Sequence, residues 1–235
     1  MSAITYQEFC TRLAFGQLRS LSIRDESNPS LITNKYRDQI LSFTNQGLTN
    51  LSSRFVIMKK EVLVKTQAEV KNYYLRSDFT LSSLSLEVYK YLDDTLESFN
   101  EDVIKVLSVY DEDNIEASMN DQDNEDSIHN VIFDCLKIPE CFVDQTLRVV
   151  YQARHEILEE ESKTIVIRLP YYLEDALAHF VASKVFLGMG SPEQIAKGTM
   201  HLQMYDALCK EVMDSDFVST STSNQGTKLY NRGFV

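Results

Sequence analysis

The chain has 235 residues and carries 35 acidic against 23 basic side chains, a formal charge of −12. With 43% hydrophobic and 25% charged residues it has the make-up of a folded domain, which excludes global disorder. The acid excess, with no Lys/Arg cluster beyond Lys59-Lys60, argues against a surface that grips phosphates, and no run approaches the roughly 18 apolar residues of a membrane span.

Thr5 and Glu8 stand at capping-box spacing ahead of Phe9 and Leu13, so a first helix is expected over 5–20. After the Asn28-Pro29 turn signal, Leu31, Tyr36, Ile40, Phe43, Leu48 and Leu51 form a helical stripe over 30–53, weakened by Gly47. The period then changes. Val62 and Val64 alternate with Lys59, Glu61, Leu63 and Lys65 as in a strand, with Tyr73-Tyr74-Leu75 as its expected return partner. Residues 78–100 fit either a short amphipathic helix or an extended excursion. Val103–Tyr110, Val131–Ile138 and Leu147–Glu156 read as strands, so 55–168 is expected to be a β-rich insertion. Asp111–Ser127 holds the densest acidic cluster and reads as a solvated loop.

The stretch from Ile165 to Met213 is the best punctuated. A β-like run leads into Leu173, Leu177, Phe180, Val181 and Val185, one side of a helix over 171–187. A second helix over 192–213 carries Ile195, Thr199, Leu202, Tyr205, Leu208, Cys209 and Val212 at the same spacing. Between them Gly188 and Gly190 can end a helix, Ser191 fits the N-cap, Pro192 the first turn, and Gln194 the partner of a capping box. An antiparallel helical hairpin follows. Past Met213 the composition becomes Ser/Thr/Asn-rich, and 214–235 reads as an extended arm ending in Lys228, Leu229, Tyr230, Asn231, Arg232, Gly233, Phe234 and Val235. The expected fold is α+β, mainly α: one domain over 1–213, a bundle of N- and C-terminal helices with a small inserted antiparallel β-region, followed by the arm.

No residue pattern in the chain has the spacing of a catalytic or metal site. Counted from Asp111 or Asp121, the acidic loop lacks the glycine and closing glutamate of a calcium loop. His129, His155, His179 and His201 show no H-E-x-x-H pattern, although His179 and His201 can meet across the hairpin. Cys10, Cys135, Cys141 and Cys209 are scattered and read as buried small hydrophobes. There is no nucleophile elbow and no phosphate loop. No catalytic, cofactor or metal residue is expected, and the N-terminus lacks the make-up of a secretory signal, which points to the cytoplasmic side.

The run from Arg168 to Met213, with Leu169-Pro170, YYLEDALAHFVASKVF, the MGSPE turn and KGTMHLQMYDALCKEV, resembles the C-terminal helices of head-to-tail adaptor proteins of tailed bacteriophages, of the long podovirus type. VIKVLSVYDEDN at Val103–Asn114 and LRVVYQARHE at Leu147–Glu156 look like strands of their inserted sheet. The resemblance implies a non-enzymatic virion protein of the neck, assembled in the host cytoplasm as a dodecameric ring between portal and a tail or nozzle protein. It implies DNA passing through the ring without specific binding, and an arm that docks on the portal through Lys228, Leu229, Tyr230, Arg232, Phe234 and Val235. An enzyme whose residues converge only in space, or a cytoplasmic helical interaction module, are the other readings open at this stage.

Overall fold

In a computed structural model, which describes residues 2–21, 23, 32–95, 97–159 and 166–215, the chain runs β1 (Ser2–Thr5), α1 (Tyr6–Phe15), α2 (Asn34–Arg54), β2 (Met58–Lys65), β3 (Asn72–Tyr74), β4 (Leu92–Asp93) and β5 (Val103–Tyr110). It continues through β6 (His129–Ile132), β7 (Cys135–Lys137), β8 (Thr146–Ala153), β9 (Val166–Leu169), α3 (Tyr171–Gly188) and α4 (Pro192–Asp214). These elements fall into two compact units, one from the described residues before 58 and after 154, the other from 58–154.

In the first unit the predicted capping box forms. The Thr5 hydroxyl accepts the Glu8 amide at 3.2 Å while the Glu8 carboxylate accepts the Thr5 amide at 3.0 Å. The helix ends at Phe15, short of the expected Ser20, because Gly16 turns the chain and donates its amide to the Arg12 carbonyl. β1 pairs antiparallel with β9, Ser2 opposite Leu169 and Thr5 opposite Val166. α3 is the central element: Leu173, Ala176, Leu177, Phe180, Val181 and Phe186 are among its buried residues, and α2 and α4 pack on it. A helix apolar around most of its circumference must sit between neighbours. Gly47 is the reason α2 approaches so closely, since a Cβ there would lie 2.5 Å from Leu177 Cδ1 and 3.0 Å from Phe180 Cδ1. Tyr205 of α4 is buried against Phe180 and donates its hydroxyl to Asn50 Oδ1 of α2 at 2.5 Å.

The second unit has a core of its own, with Val64, Tyr73, Tyr91, Leu92, Val109 and Leu147 among the buried side chains. One sheet has the order β4-β2-β8-β5 and another β3-β7-β6. The expected pairing of Tyr73–Leu75 with β2 is not formed. β8 covers β2 along its whole length, from Met58 opposite Ala153 to Lys65 opposite Thr146, whereas β3 pairs with β7. Eight residues of strand are better satisfied by a partner of equal length than by three, and that partner lies too far along the chain for local alternation to reveal. Val131–Ile138 is not one strand but the hairpin of β6 and β7, and the described residues of 78–100 contain no α-helix, only part of a 3-10 turn at Ser77–Phe79 and the short β4.

The expectation of a mainly helical bundle is therefore overturned. About 39% of the structure is helical and 24% strand, in three antiparallel sheets, so the chain is mixed α and β. Helix ends carry caps that sequence displays openly, while the β unit is held by long-range pairings, so the weight of strand was underread. No helix among the described residues is long and apolar enough to cross a membrane.

Candidate functional site

The α3–α4 hairpin turns as its punctuation predicts, with one half of the capping box missing. Gly190 adopts φ +74° and the Ser191 hydroxyl accepts the Gln194 amide, but Gln194 Oε1 is buried without a hydrogen-bond partner among the described residues. The buried stripe of α4 also starts one residue out of the expected register. Gly198, His201, Tyr205, Cys209 and Val212 face inward, while Ile195 and Leu202 stay 43% and 36% exposed. Gly198 explains the rotation. A Cβ at that position would lie 2.7 Å from Leu187 Cγ and 3.0 Å from the Leu187 backbone nitrogen, so the missing side chain lets the two helices close.

Next to this contact His179 and His201 meet, Nδ1 to Nδ1 at 2.9 Å, with one ring donating and the other accepting. The His201 ring lies flat on Phe186, centroids 5.4 Å apart. Burial lowers both pKa values; His179 is partly offset by Asp175, and His201 is lowered further by His179. Burial also lowers His155, whose Nδ1 donates to the Glu156 carbonyl while Nε2 accepts the Arg168 amide, holding 155 against β9. A depressed folded-state pKa means that the unfolded chain binds more protons, so stability is complete above the unfolded value of about 6.5 and is lost as pH falls through the folded values. The urea midpoint of the first unit should then fall between about pH 8 and about pH 5, and His179→Gln with His201→Gln should remove much of that fall. An unaltered pH dependence in the double variant would show that the pair plays no part.

The Asp111–Ser127 segment is exposed along most of its length, as expected of a solvated loop. Two of its carboxylates are occupied with their own turns, since Asp111 Oδ1 accepts the amides of Asp113 and Ile115 at 2.9 and 2.8 Å and Asp121 accepts that of Asp123, while Glu112 accepts the Thr146 amide at 2.8 Å. Beside it lies an open cleft of about 530 Å³ lined by Lys105, Glu116, Ser118, Asn120 and Asn130 among others. Within the β unit Asp102 receives Lys60 Nζ at 2.7 Å and the Tyr151 hydroxyl at 3.1 Å, and burial with this carboxylate pushes the Tyr151 phenol up. Among the described residues no three of His, Cys, Asp or Glu gather to hold an ion. Cys10, Cys135 and Cys209 are buried, whereas Cys141 is exposed, a correction to the expectation for all four.

No family model matches the chain, and no curated protein matches it. The arm residues Lys228, Leu229, Tyr230, Arg232, Phe234 and Val235 lie outside the described residues.

Sequence reasoning passed over one exposed feature. Leu84, Leu86 and Val88 stand almost wholly in solvent, at 99%, 101% and 83% exposure. Their spacing of two along the chain was the available signal, hidden because the surrounding segment fitted no regular element. The hairpin leaves further apolar groups outside, with Tyr171 at 74%, Met200 at 50% and Met204 at 47%. Both units thus expose large apolar groups, the kind of surface that association can cover.

Proposed function

We propose that the protein is a head-to-tail adaptor of a tailed-phage virion, a subunit of a ring that sits between portal and tail and surrounds the path of the DNA. The observation that carries the reading is the α3–α4 hairpin, which combines the resemblance over Arg168–Met213 with a helix whose outer sides still bear Ile195, Met200, Leu202 and Met204. Covering such groups against a neighbour removes apolar surface from water. In a closed ring one heterologous contact, repeated around the axis, covers them.

The charge of −12 suits a channel through which DNA slides, because like charge repels the phosphates and keeps the duplex from adhering. The C-terminal arm, with two aromatic, two aliphatic and two cationic side chains after Gly226, supplies the contact to the portal. The partners on this reading are other copies of the chain, the portal protein, and a tail or nozzle protein below.

Removing residues 226–235 tests the arm. The truncated protein should keep its circular dichroism and melting temperature and lose co-sedimentation with the portal of the same phage. Equal binding by the truncated and full chains would take the docking role away from it.

A further inference from the structure

β5 is the outer strand of the order β4-β2-β8-β5, so one of its long sides is given to β8 and the other faces away from that sheet. The chain turns back onto the outer side at once. The Asp111 amide donates to the Ile115 carbonyl at 3.0 Å, and the Ala117 amide to the Val109 carbonyl at 2.8 Å. From Ser118 onward the returning chain has a different partner: the Ser118 carbonyl accepts the Ile128 amide, and the Asn120 amide donates to the Ile128 carbonyl, both at 2.9 Å. The two stretches therefore part beyond Val109 and Ala117, and the cleft of about 530 Å³ lies between Lys105–Leu107 on one side and Glu116–Asn120 on the other. That volume is within the range of clefts that hold ligands, roughly 300–1,000 Å³. Asn130 also lines it, and Asn130 Oδ1 is buried with no hydrogen-bond partner among the described residues. A buried acceptor left unmet is costly, so an occupant that brings an N–H is favoured here.

The surroundings of the cleft are acidic. Residues 111–127 carry eight carboxylates and no cation, and 58–154 holds 20 of the chain's 35 acidic side chains against 10 of its 23 basic ones. One stretch of the chain has the opposite make-up. From Phe217 to Val235 there is no acidic side chain, while Lys228 and Arg232 are cationic. In an extended conformation its end alternates to good purpose, with Lys228, Tyr230, Arg232 and Phe234 on one side and Leu229 and Val235 on the other.

We infer that the occupant of this cleft is the chain's own C-terminal segment, 228–235, which in the free protein adds as a strand beside β5 of the same copy. Main-chain hydrogen bonds to an outer strand supply the attachment, and the charge of the surroundings selects the one acid-free, cation-bearing segment. A modest intrinsic affinity is enough because the segment is tethered. At an effective concentration of about 1 mM, a segment that binds with a Kd of about 0.1 mM as a separate peptide is seated about nine-tenths of the time. The arm of another copy competes only at its bulk concentration, so the chain's own arm has the advantage in dilute solution. Opposite charges hold the segment, so the contact weakens as salt rises. The seat stands apart from the ring reading, but its consequence rests on that reading: portal must draw the arm out of the cleft, and the same residues serve the free and the assembled chain in turn.

The chain has no tryptophan, so Tyr230→Trp in the full-length protein is a unique reporter on the arm. A nitroxide attached at Ser118→Cys, in a Cys141→Ser background, stands at the cleft, and Cys10, Cys135 and Cys209 are buried away from the label. The nitroxide should remove most of the tryptophan emission. Without it, acrylamide should quench the protein roughly fivefold less than a peptide of 226–235 carrying the same tryptophan, and about a hundredfold dilution should change neither result. Glu116→Lys, at an exposed position lining the cleft, should weaken the contact about tenfold and lower the seated fraction from about nine-tenths to about half. Emission untouched by the nitroxide, or quenching equal to that of the peptide, overturns the seat. Protection that fades on dilution gives the cleft to a neighbour's arm and overturns the contact within one copy. Adding portal should restore the emission; a seated arm that ignores portal leaves the seat standing and strikes the ring reading instead.

Discussion

Gly47→Val should cost the helical unit about 3 kcal/mol, because α2 has no room for a side chain where it crosses α3. A Cβ alone would lie 2.5 Å from Leu177 Cδ1 and 3.0 Å from Phe180 Cδ1, and both residues are buried, so neither can move into water. Valine adds two further methyl groups to that gap. Its better helix propensity returns only a few tenths of a kcal/mol, which does not offset overpacking of a close-fitted core. Alanine is the informative control: it gains about 1 kcal/mol of propensity and needs a smaller shift of Leu177, so its loss should be well below that of valine. Urea unfolding checks both, with a lowered midpoint and an unchanged slope. A valine variant as stable as wild type would mean that the two helices do not approach as described.

In the β unit the largest single loss is expected from Asp102→Ala, at about 3 kcal/mol. The carboxylate is 8% exposed and holds Lys60, itself 17% exposed, and the Tyr151 hydroxyl, while its backbone carbonyl takes the Arg154 amide at 2.7 Å. Alanine keeps the backbone bond but leaves an ammonium and a phenol in a poorly hydrated place without an acceptor. Breaking one side of such a pair costs more than the pair contributed, because the desolvation of the survivor remains. Asparagine at 102 preserves an acceptor for Tyr151 and should lose roughly half as much. Hydrogen exchange should show the main loss of protection in β2, β5 and β8, and the Tyr151 phenol should titrate lower once the neighbouring charge is gone. Undiminished protection there would contradict a central role for Asp102. Acid alone leaves Asp93 intact longer than the histidines: the hydrogen bond from Lys65 holds it down to about 2, so its contribution is lost only between about pH 4 and that value.

The helical elements were legible because their signals are local. Thr5 with Glu8, Ser191 with Pro192, and the positive φ at Gly190 each depend on residues within one turn, and each took the form expected. The α4 stripe was misread in its first half for a related reason. Its inward face there is a glycine and a histidine, Gly198 and His201, and a rule that looks for apolar residues passes over both and selects Ile195 and Leu202. Gly47 was visible as a weak helix former, yet its purpose depends on Leu177 and Phe180, which no local window includes. The β unit shows the same limit on a larger scale. Alternation located β2, β5 and β8, but nothing in it could tell that β2 lies against β8 and that Tyr73 and Tyr91 spend their hydroxyls on the backbone amides of Gln67 and Tyr74. The exposed run at Leu84, Leu86 and Val88 was missed because exposure, unlike period, is not written in the residues themselves.

On the proposed reading this chain is repeated around an axis. Mixing the full-length protein with the portal of the same phage, and measuring the mass of the product with images of the same sample, tests it most directly. The expected product is a closed ring of many copies seated coaxially on the portal, with free chain disappearing as portal is added. A chain that stays unassociated with portal at every ratio would contradict it.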